Sequence, residues 1–346
     1  MNTGKLGAAS GTGTVLYVTR PGACVHQTHG RLRVTQGKTL LQEVRLCDLE
    51  RVVILGGTAG LTSQAAAGLM ECGIETAFLS STGQFRGWLS PAKGRGVTLR
   101  LAQFAAYSDP SRRLALAQAV VAQKIRNGDA LLARFARNHA AFDPASQRGR
   151  MGRALRAAMA ARNVEALLGH EGDAAAAYFA AFGQMLGGGF AFATRSRRPP
   201  RDAANALLSL AYTLLSAEAT SAVAGAGLDP SLGMLHAPDD GRPSLGLDLT
   251  EEFRQPVADR VVLHLANNRV LSSTADFEDK GPGAGFRLKD DARRRFFLAY
   301  EARMTEPFQL RAGNTATCLR ECVRTQAHAL ARALKESSPY QPFILR

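Results

Sequence analysis

The stretch "SPAKGRG" at residues 90–96 separates two parts of different character. Before it, short β-branched or aromatic runs alternate with glycine and polar turns: "TVLYVT" (14–19), "ACVHQTHGRLRVTQG" (23–37), "RVVILG" (51–56) and "ETAFLS" (75–80). These read as strands, with "QTHGR" as a hairpin turn and "GQFRGWL" (83–89) as a last strand. One helix interrupts them, "LTSQAAAGLMECG", with Thr62 or Ser63 as N-cap and Gly73 just past its end. Beyond the break, Ala, Leu and Arg recur at helical spacing as far as Lys335, with almost no strand signal. Helices are expected over about 98–107, 111–140, 147–159, 163–185, 202–224, 244–270 and 288–335, the last broken near Pro307. The expected fold class is α+β: an N-terminal β-rich domain over 1–92, a linker over 93–98, and a larger all-α domain over 99–346.

A chain of 346 residues can hold two cores. With 46% hydrophobic and 21% charged residues it is a globular sequence and not a disordered one. Lys and Arg number 43 against 29 Asp and Glu, which leaves a net charge of +14 and a pI near 10.2. Such an excess points to a polyanionic partner, either nucleic acid or an anionic membrane surface. The N-terminal "MNTGKLGAASGTG" lacks the apolar core of a signal peptide. The longest apolar run, Ala203 to Ala217, is too short to span a bilayer and reads as a buried helix. No membrane association is expected, and a cytoplasmic location is. Cys24, Cys47, Cys72, Cys318 and Cys322 form an odd, scattered set, expected as free thiols. Cys318 and Cys322 have only His328 nearby, too few ligands for zinc.

Two segments carry carboxylates in unusual places. In "NVEALLGHEGDAAAAYFAAFGQML" the apolar stripe runs through Val164, Leu167, Leu168, Ala175, Tyr178, Phe182 and Met185, and Glu171 falls on it. A carboxylate on a buried face must pair with a cation or bind a metal. His170 adjoins it but points about 100° away on a helix. In "GMLHAPDDGRPSLGLDLTEEFR" His236 precedes a helix expected to start at an N-cap Ser244. Leu249, Phe253, Val257 and Val261 form that helix's core stripe, flanked by Asp248, Glu251 and Glu252. Three acids in a first turn could simply complement the helix dipole. Together with His236 and Glu171 they also make a mixed nitrogen and oxygen set that suits Mg²⁺ or Mn²⁺. A divalent ion is what a shielded phosphodiester needs for attack. The clusters "RGRMGR" (148–153), "RSRRPPR" (195–201) and "RLKDDARRRFF" (287–297) could hold its backbone, or could be solvated faces.

These segments, in this order, resemble the CRISPR-associated integrase family, the universal spacer-acquisition protein Cas-one. "TVLYVT" and "VVILGGTAGLTSQAAAGLMECGIETAFLSSTGQFRGWL" are similar to its N-terminal β domain, and "LLGHEGDAAAAYF" to its glutamate motif. "RPPRDAANALLSLAYTLL" is similar to its central helix, and "GLDPSLGMLHAPDDGRPSLGLDLTEEFRQPVADRVVL" to its histidine–carboxylate motif. The resemblance covers nearly the whole chain. It implies metal ligands at Glu171, His236 and Glu251, an acid at Asp248 that binds the metal directly or supports the site by orienting His236 or taking a proton, and a nearby polar residue at Asn205. Glu252 is left as a bystander or as a residue supporting the ligands from behind. The loop "APDDGR" departs from the family by carrying two aspartates and leaving only Arg242 for phosphate. The resemblance implies a metal-dependent endonuclease and integrase that inserts short DNA fragments into a CRISPR array. It implies double-stranded and branched DNA as substrates and a homodimer formed largely through the β domains. A small ferredoxin-like companion, Cas-two, would complete a heterohexamer. A junction nuclease without strand transfer and a non-catalytic nucleic-acid scaffold are the rival readings.

Overall fold

The structure is a computed structural model that describes residues 14–80, 85–89, 96–309 and 316–344. The N-terminal stretch, the first half of the expected linker and the start of "GQFRGWL" lie outside those residues. The chain divides into two compact units, Met1–Gly94 and Arg95–Arg346.

The first unit contains β1 (Thr14–Val18), β2 (Ala23–Thr28), β3 (Arg31–Gln36), β4 (Thr39–Arg45), β5 (Leu49–Leu55), β6 (Gly60–Leu61), α1 (Ser63–Glu71), β7 (Glu75–Leu79) and β8 (Phe85–Leu89). They make two four-stranded sheets, ordered β1-β5-β7-β8 and β4-β3-β2-β6. In the first, β1, β5 and β7 are parallel and β8 closes antiparallel. Leu16, Val25, Leu32, Val52, Ile54 and Leu69 are fully buried in its core. The β2–β3 turn puts His29 (φ 48°) and Gly30 (φ 73°) in the left-handed region, as a two-residue hairpin requires. Thr62 is the N-cap of α1, its Oγ1 accepting from Ala65 N at 3.3 Å, and Gly73 (φ 71°) ends the helix. Strand β4 was not expected. It is an edge strand with no buried residue, so its sequence shows no in–out alternation.

The second unit is mainly helical: α2 (Val97–Ser108), α3 (Pro110–Asn138), α4 (Ala145–Met159), α5 (Val164–Met185), α6 (Ala203–Gly225), α7 (Ser244–Glu251), α8 (Arg260–Asn267), α9 (Asp290–Thr305) and α10 (Leu319–Glu336). Side-chain caps begin three of them. Asp109, Asn163 and Asp202 accept backbone N–H groups at the starts of α3, α5 and α6. The domain is not all-α: β9 (Phe277–Asp279) pairs with β10 (Phe286–Leu288), and β11 (Phe308–Gln309) with β12 (Ala316–Thr317). Helix α6 is long and apolar enough to cross a membrane by length and composition. However, 67% of its most apolar window is buried inside the protein, and it packs against α7, α8 and α10.

The expected helix over 244–270 is in fact α7, a π-helical segment Arg254–Asp259, and α8. Pro256 explains the interruption. It has no N–H to offer the carbonyl of Glu252, and that oxygen instead accepts from Asn127 Nδ2 on α3 at 2.8 Å. Leu249, Phe253, Val257 and Val261 still share one face and are each at most 1% exposed. Ser244 is not an N-cap. Pro243 precedes the helix without a side-chain cap, and Ser244 Oγ donates to Ala237 O. Asp248, Glu251 and Glu252 therefore lie at the C-terminal end of α7, where the helix dipole disfavours acids. Dipole compensation does not account for them.

Helix α7 lies close to α6 because Gly246 has no Cβ. A Cβ there would sit 2.2 Å from Thr220 Oγ1 and 3.0 Å from Thr220 Cα. Gly246→Ala is expected to destabilise the fold by about 1–3 kcal/mol in denaturant unfolding. Gly169→Ala, on α5 with nothing within 4 Å, is expected to be neutral or to gain about 0.5–1 kcal/mol.

Candidate metal centre

Asp248 organises the loop before α7. It is 2% exposed. Its Oδ2 accepts from Met234 N (2.5 Å) and Leu235 N (3.0 Å), and its Oδ1 from His236 N (2.9 Å). His236 Nδ1 stands 2.7 Å from the same Oδ1. A carboxylate only accepts, so the imidazole proton lies on Nδ1 and the Nε2 lone pair is free. That Nε2 faces Glu251, 4.0 Å from its Oε1. Gly233 makes the turn possible, since a Cβ there would lie 2.6 Å from His236 O. Asp248 thus orients the histidine.

Glu171 on α5 and Glu251 at the end of α7 meet at one atom. Lys124 Nζ, from α3, is 2.5 Å from Glu171 Oε1 and 2.5 Å from Glu251 Oε2. Arg254 Nη1 adds bonds to both Glu251 oxygens at 2.9 and 3.0 Å. Burial alone would raise the Glu251 pKa, but the Arg254 and Lys124 charges lead the effects that outweigh it, and the carboxyl is held at about 2. Glu251 is therefore ionised at any physiological pH. Beside it lies a cavity of about 20 Å³, lined by residues that include Lys124, Glu171, Tyr178, Tyr212 and Arg254. It has room for one water-sized body.

Behind the carboxylates is a buried polar layer. Tyr212 Oη and Tyr178 Oη donate to Asp259 at 2.5 and 2.6 Å. The Arg254 guanidinium lies 4.3 Å over the Tyr212 ring, and that of Arg195 lies 5.4 Å from the ring centre. Asn205 reaches the site only through Arg195. Its Oδ1 accepts from Arg195 Nη1 and Ser196 N, and its Nδ2 donates to Thr194 O and Asp202. Of the two readings open for Glu252, the structure favours the supporting one. The side chain is fully buried, 2.6 Å from Tyr340 Oη, and accepts from Phe343 N at 2.8 Å. Asn127 Nδ2 also donates to Phe343 O, and the Phe343 ring stacks on Phe253. The segment around 340–343 thereby straps the turn that carries Glu251.

The structure brings Glu171, His236, Glu251 and Asp248 into one neighbourhood. Among the described residues, however, no three His, Cys, Asp or Glu side chains close to metal-ligand spacing. The Lys124 ammonium stands between the two glutamates, and His236 Nε2 is 4.0 Å from Glu251. The donor set fits a hard divalent ion, because two anionic carboxylates already converge on a cation and an imidazole lone pair is turned toward them. Leu168 is 38% exposed, so the buried stripe of α5 is narrower than expected. Arg242 folds back onto Ala237 O and Asp239. Sequence reading overlooked Lys124, Arg254 and the strap. Lys124 carried the same signal as Glu171, a charge among the buried Val120, Val121 and Ile125.

Burial, with the Asp248 charge adding to it, pushes Glu252 up to about 8, against the opposing bonds from Tyr340 and Phe343. A raised carboxyl contributes stability that is complete below its ordinary pKa and lost as pH rises through about 8. Denaturant unfolding at about pH 5 and about pH 8.5 is therefore expected to show a larger stability loss for the wild type than for Glu252→Gln, which cannot ionise. Equal losses would contradict a neutral Glu252.

The family model "CRISPR associated protein Cas1" matches residues 16–302. The chain is 42% identical to "CRISPR-associated endonuclease Cas1 3" of Thermus thermophilus, over 96% of this chain and 97% of the relative. It is 36% identical to "CRISPR-associated endonuclease Cas1 2" of Rhodospirillum rubrum, over 95% and 97%. Its fold matches a casposase bound to integration product with TM-score 0.83 at 21% identity, covering 96% of this chain and 94% of that one. It also matches a CAS1 protein from Thermotoga maritima with TM-score 0.78 at 23% identity, covering 93% and 97%. The extent of the family match and of the identity to full-length relatives makes the chain a member of the Cas1 family of CRISPR-associated proteins.

Proposed function

We propose that this chain is a metal-dependent DNA endonuclease and integrase of CRISPR adaptation. The observation that carries the reading is the convergence of Glu171 and Glu251, from separate helices, on one cationic position beside the oriented His236. The names of the related endonucleases and the casposase caught with its integration product support it. Glu171, Glu251 and His236 Nε2 would hold Mg²⁺ or Mn²⁺. When bound, the ion would polarise the phosphoryl oxygen and make the attacking hydroxyl more acidic.

The chain's own residues do the rest. Asp248 keeps the proton on Nδ1, which makes His236 a ligand and not the base. Arg254 keeps Glu251 ionised and fixed. The oxygen of a fragment's 3′-hydroxyl forms a new bond to phosphorus, the bond to the target's own 3′ oxygen breaks, and the proton lost by the attacker ends on the leaving oxygen through solvent. No phosphodiester is gained or lost, so the step needs no energy source. The exposed Arg197, Arg198 and Arg201, and Arg153 and Arg156 on α4, are the groups for backbone contacts. Affinity for DNA should therefore fall steeply with salt. A solved Cas6-RT-Cas1–Cas2 complex shares the fold, with TM-score 0.83. Its name supports a complex of this chain with Cas2; the family resemblance adds a homodimer assembled with that small ferredoxin-like companion into a heterohexamer.

In strand transfer of a short duplex into supercoiled plasmid, Glu171→Ala and His236→Ala are expected to fall to background while folding is retained. Asp248→Asn should lose about 10–100-fold. Wild-type transfer by either ligand variant would overturn the site. Junction cleavage without transfer would favour the nuclease reading. DNA binding with no metal effect on any reaction would favour the scaffold.

A further inference from the structure

The position between the two glutamates is taken by a side chain of the protein itself. Lys124 Nζ bridges Glu171 Oε1 and Glu251 Oε2, and its side chain is only 12% exposed. Structural cations can also serve two acids, as Arg320 does for Glu218 and Glu301, but at Lys124 both acids are candidate metal ligands and an oriented imidazole stands beside them. Here one ammonium serves two, and Glu251 is already neutralised by Arg254 through both oxygens. Two cations balance two carboxylates, yet Lys124 touches both acids because Glu171 and Glu251 are held close enough together to share a ligand. Two such carboxylates cannot both stay ionised in a buried site without a cation between them.

We propose that Lys124 is a resident counter-cation: in the metal-free protein it holds Glu171 and Glu251 at ligand spacing, and a divalent ion enters by displacing it. The proposal rests on the metal-centre reading above. The two cations at hand differ in their freedom to leave. Arg254 is buried, grips Glu251 with a fixed planar group and lies against Tyr212. Lys124 ends in a compact ammonium on a flexible four-carbon stem, with a cavity of about 20 Å³ beside it. Lysine is the group that yields. Two consequences follow. The metal-free site stays preformed without strong repulsion, and the metal binds more weakly than the same three ligands would bind it alone.

The test is Mn²⁺ binding to the full-length protein without DNA, followed by the EPR signal of free Mn²⁺ and by the thermal midpoint with and without the ion. Lys124→Met and Lys124→Gln should bind Mn²⁺ at least about tenfold more tightly than the wild type. Their metal-free forms should melt at a lower temperature and gain more from Mn²⁺. Lys124→Arg, which keeps the charge, should bind no more tightly than the wild type. Equal or weaker binding by the Met and Gln variants would overturn the proposal, as would tight binding by Lys124→Arg. Glu171→Ala separates the two levels of the account. If it binds Mn²⁺ like the wild type, the metal-centre reading itself fails. If it loses the ion while the Met and Gln variants gain nothing, only the role of Lys124 fails.

Discussion

Two ionised glutamates brought together inside a protein repel each other unless a cation lies between them. Glu171 and Glu251 impose that constraint here, and most of the helical unit can be read as meeting it. Helix α3 delivers the ammonium of Lys124, α5 delivers Glu171, and the end of α7 delivers Glu251. Arg254 follows Glu251 by three residues across the start of the π-helical segment and closes on both of its oxygens. The close approach of α7 to α6 at Gly246 keeps that end of the chain buried.

Three acids crowded near one helix end turn out to have three separate tasks. Asp248 gathers the N–H groups of the preceding loop and fixes the tautomer of His236. Glu251 faces the cation. Glu252 points the other way, to Tyr340 and Phe343, and ties the C-terminal segment under the turn. Pro256 links these tasks. By leaving the Glu252 carbonyl without its helical donor, it opens a place for Asn127, which stands one turn from Lys124 on α3 and also holds Phe343 O. The backbone interruption joins the metal-facing helix to the lysine's helix.

Much of this was legible in the sequence. The β-to-helix change, the Thr62 cap and the "HG" hairpin turn follow from local chemistry, and the ligand candidates from charge in apolar stripes together with a family resemblance. What escaped has physical causes. Strand β4 buries nothing, so no period marks it. The π-helical segment preserves a four-residue apolar spacing that reads as an uninterrupted helix. Ser244 looked like an N-cap, yet its hydroxyl is used across the loop by Ala237. Lys124 was passed over because an isolated lysine on a long helix usually extends into water, and the two acids that hold it are about 50 and 130 residues away. Glu252 could not be separated from Glu251 without knowing which way the turn bends.

The central claim is that Glu171, Glu251 and His236 form one cation site that Lys124 fills until a divalent ion arrives. Anomalous diffraction from crystals soaked in Mn²⁺ tests it most directly. The account predicts a single anomalous peak bound by both carboxylates and by His236 Nε2, with the Lys124 ammonium moved from between the glutamates. A peak elsewhere, or Lys124 still bridging Glu171 and Glu251 in a crystal saturated with Mn²⁺, would contradict it.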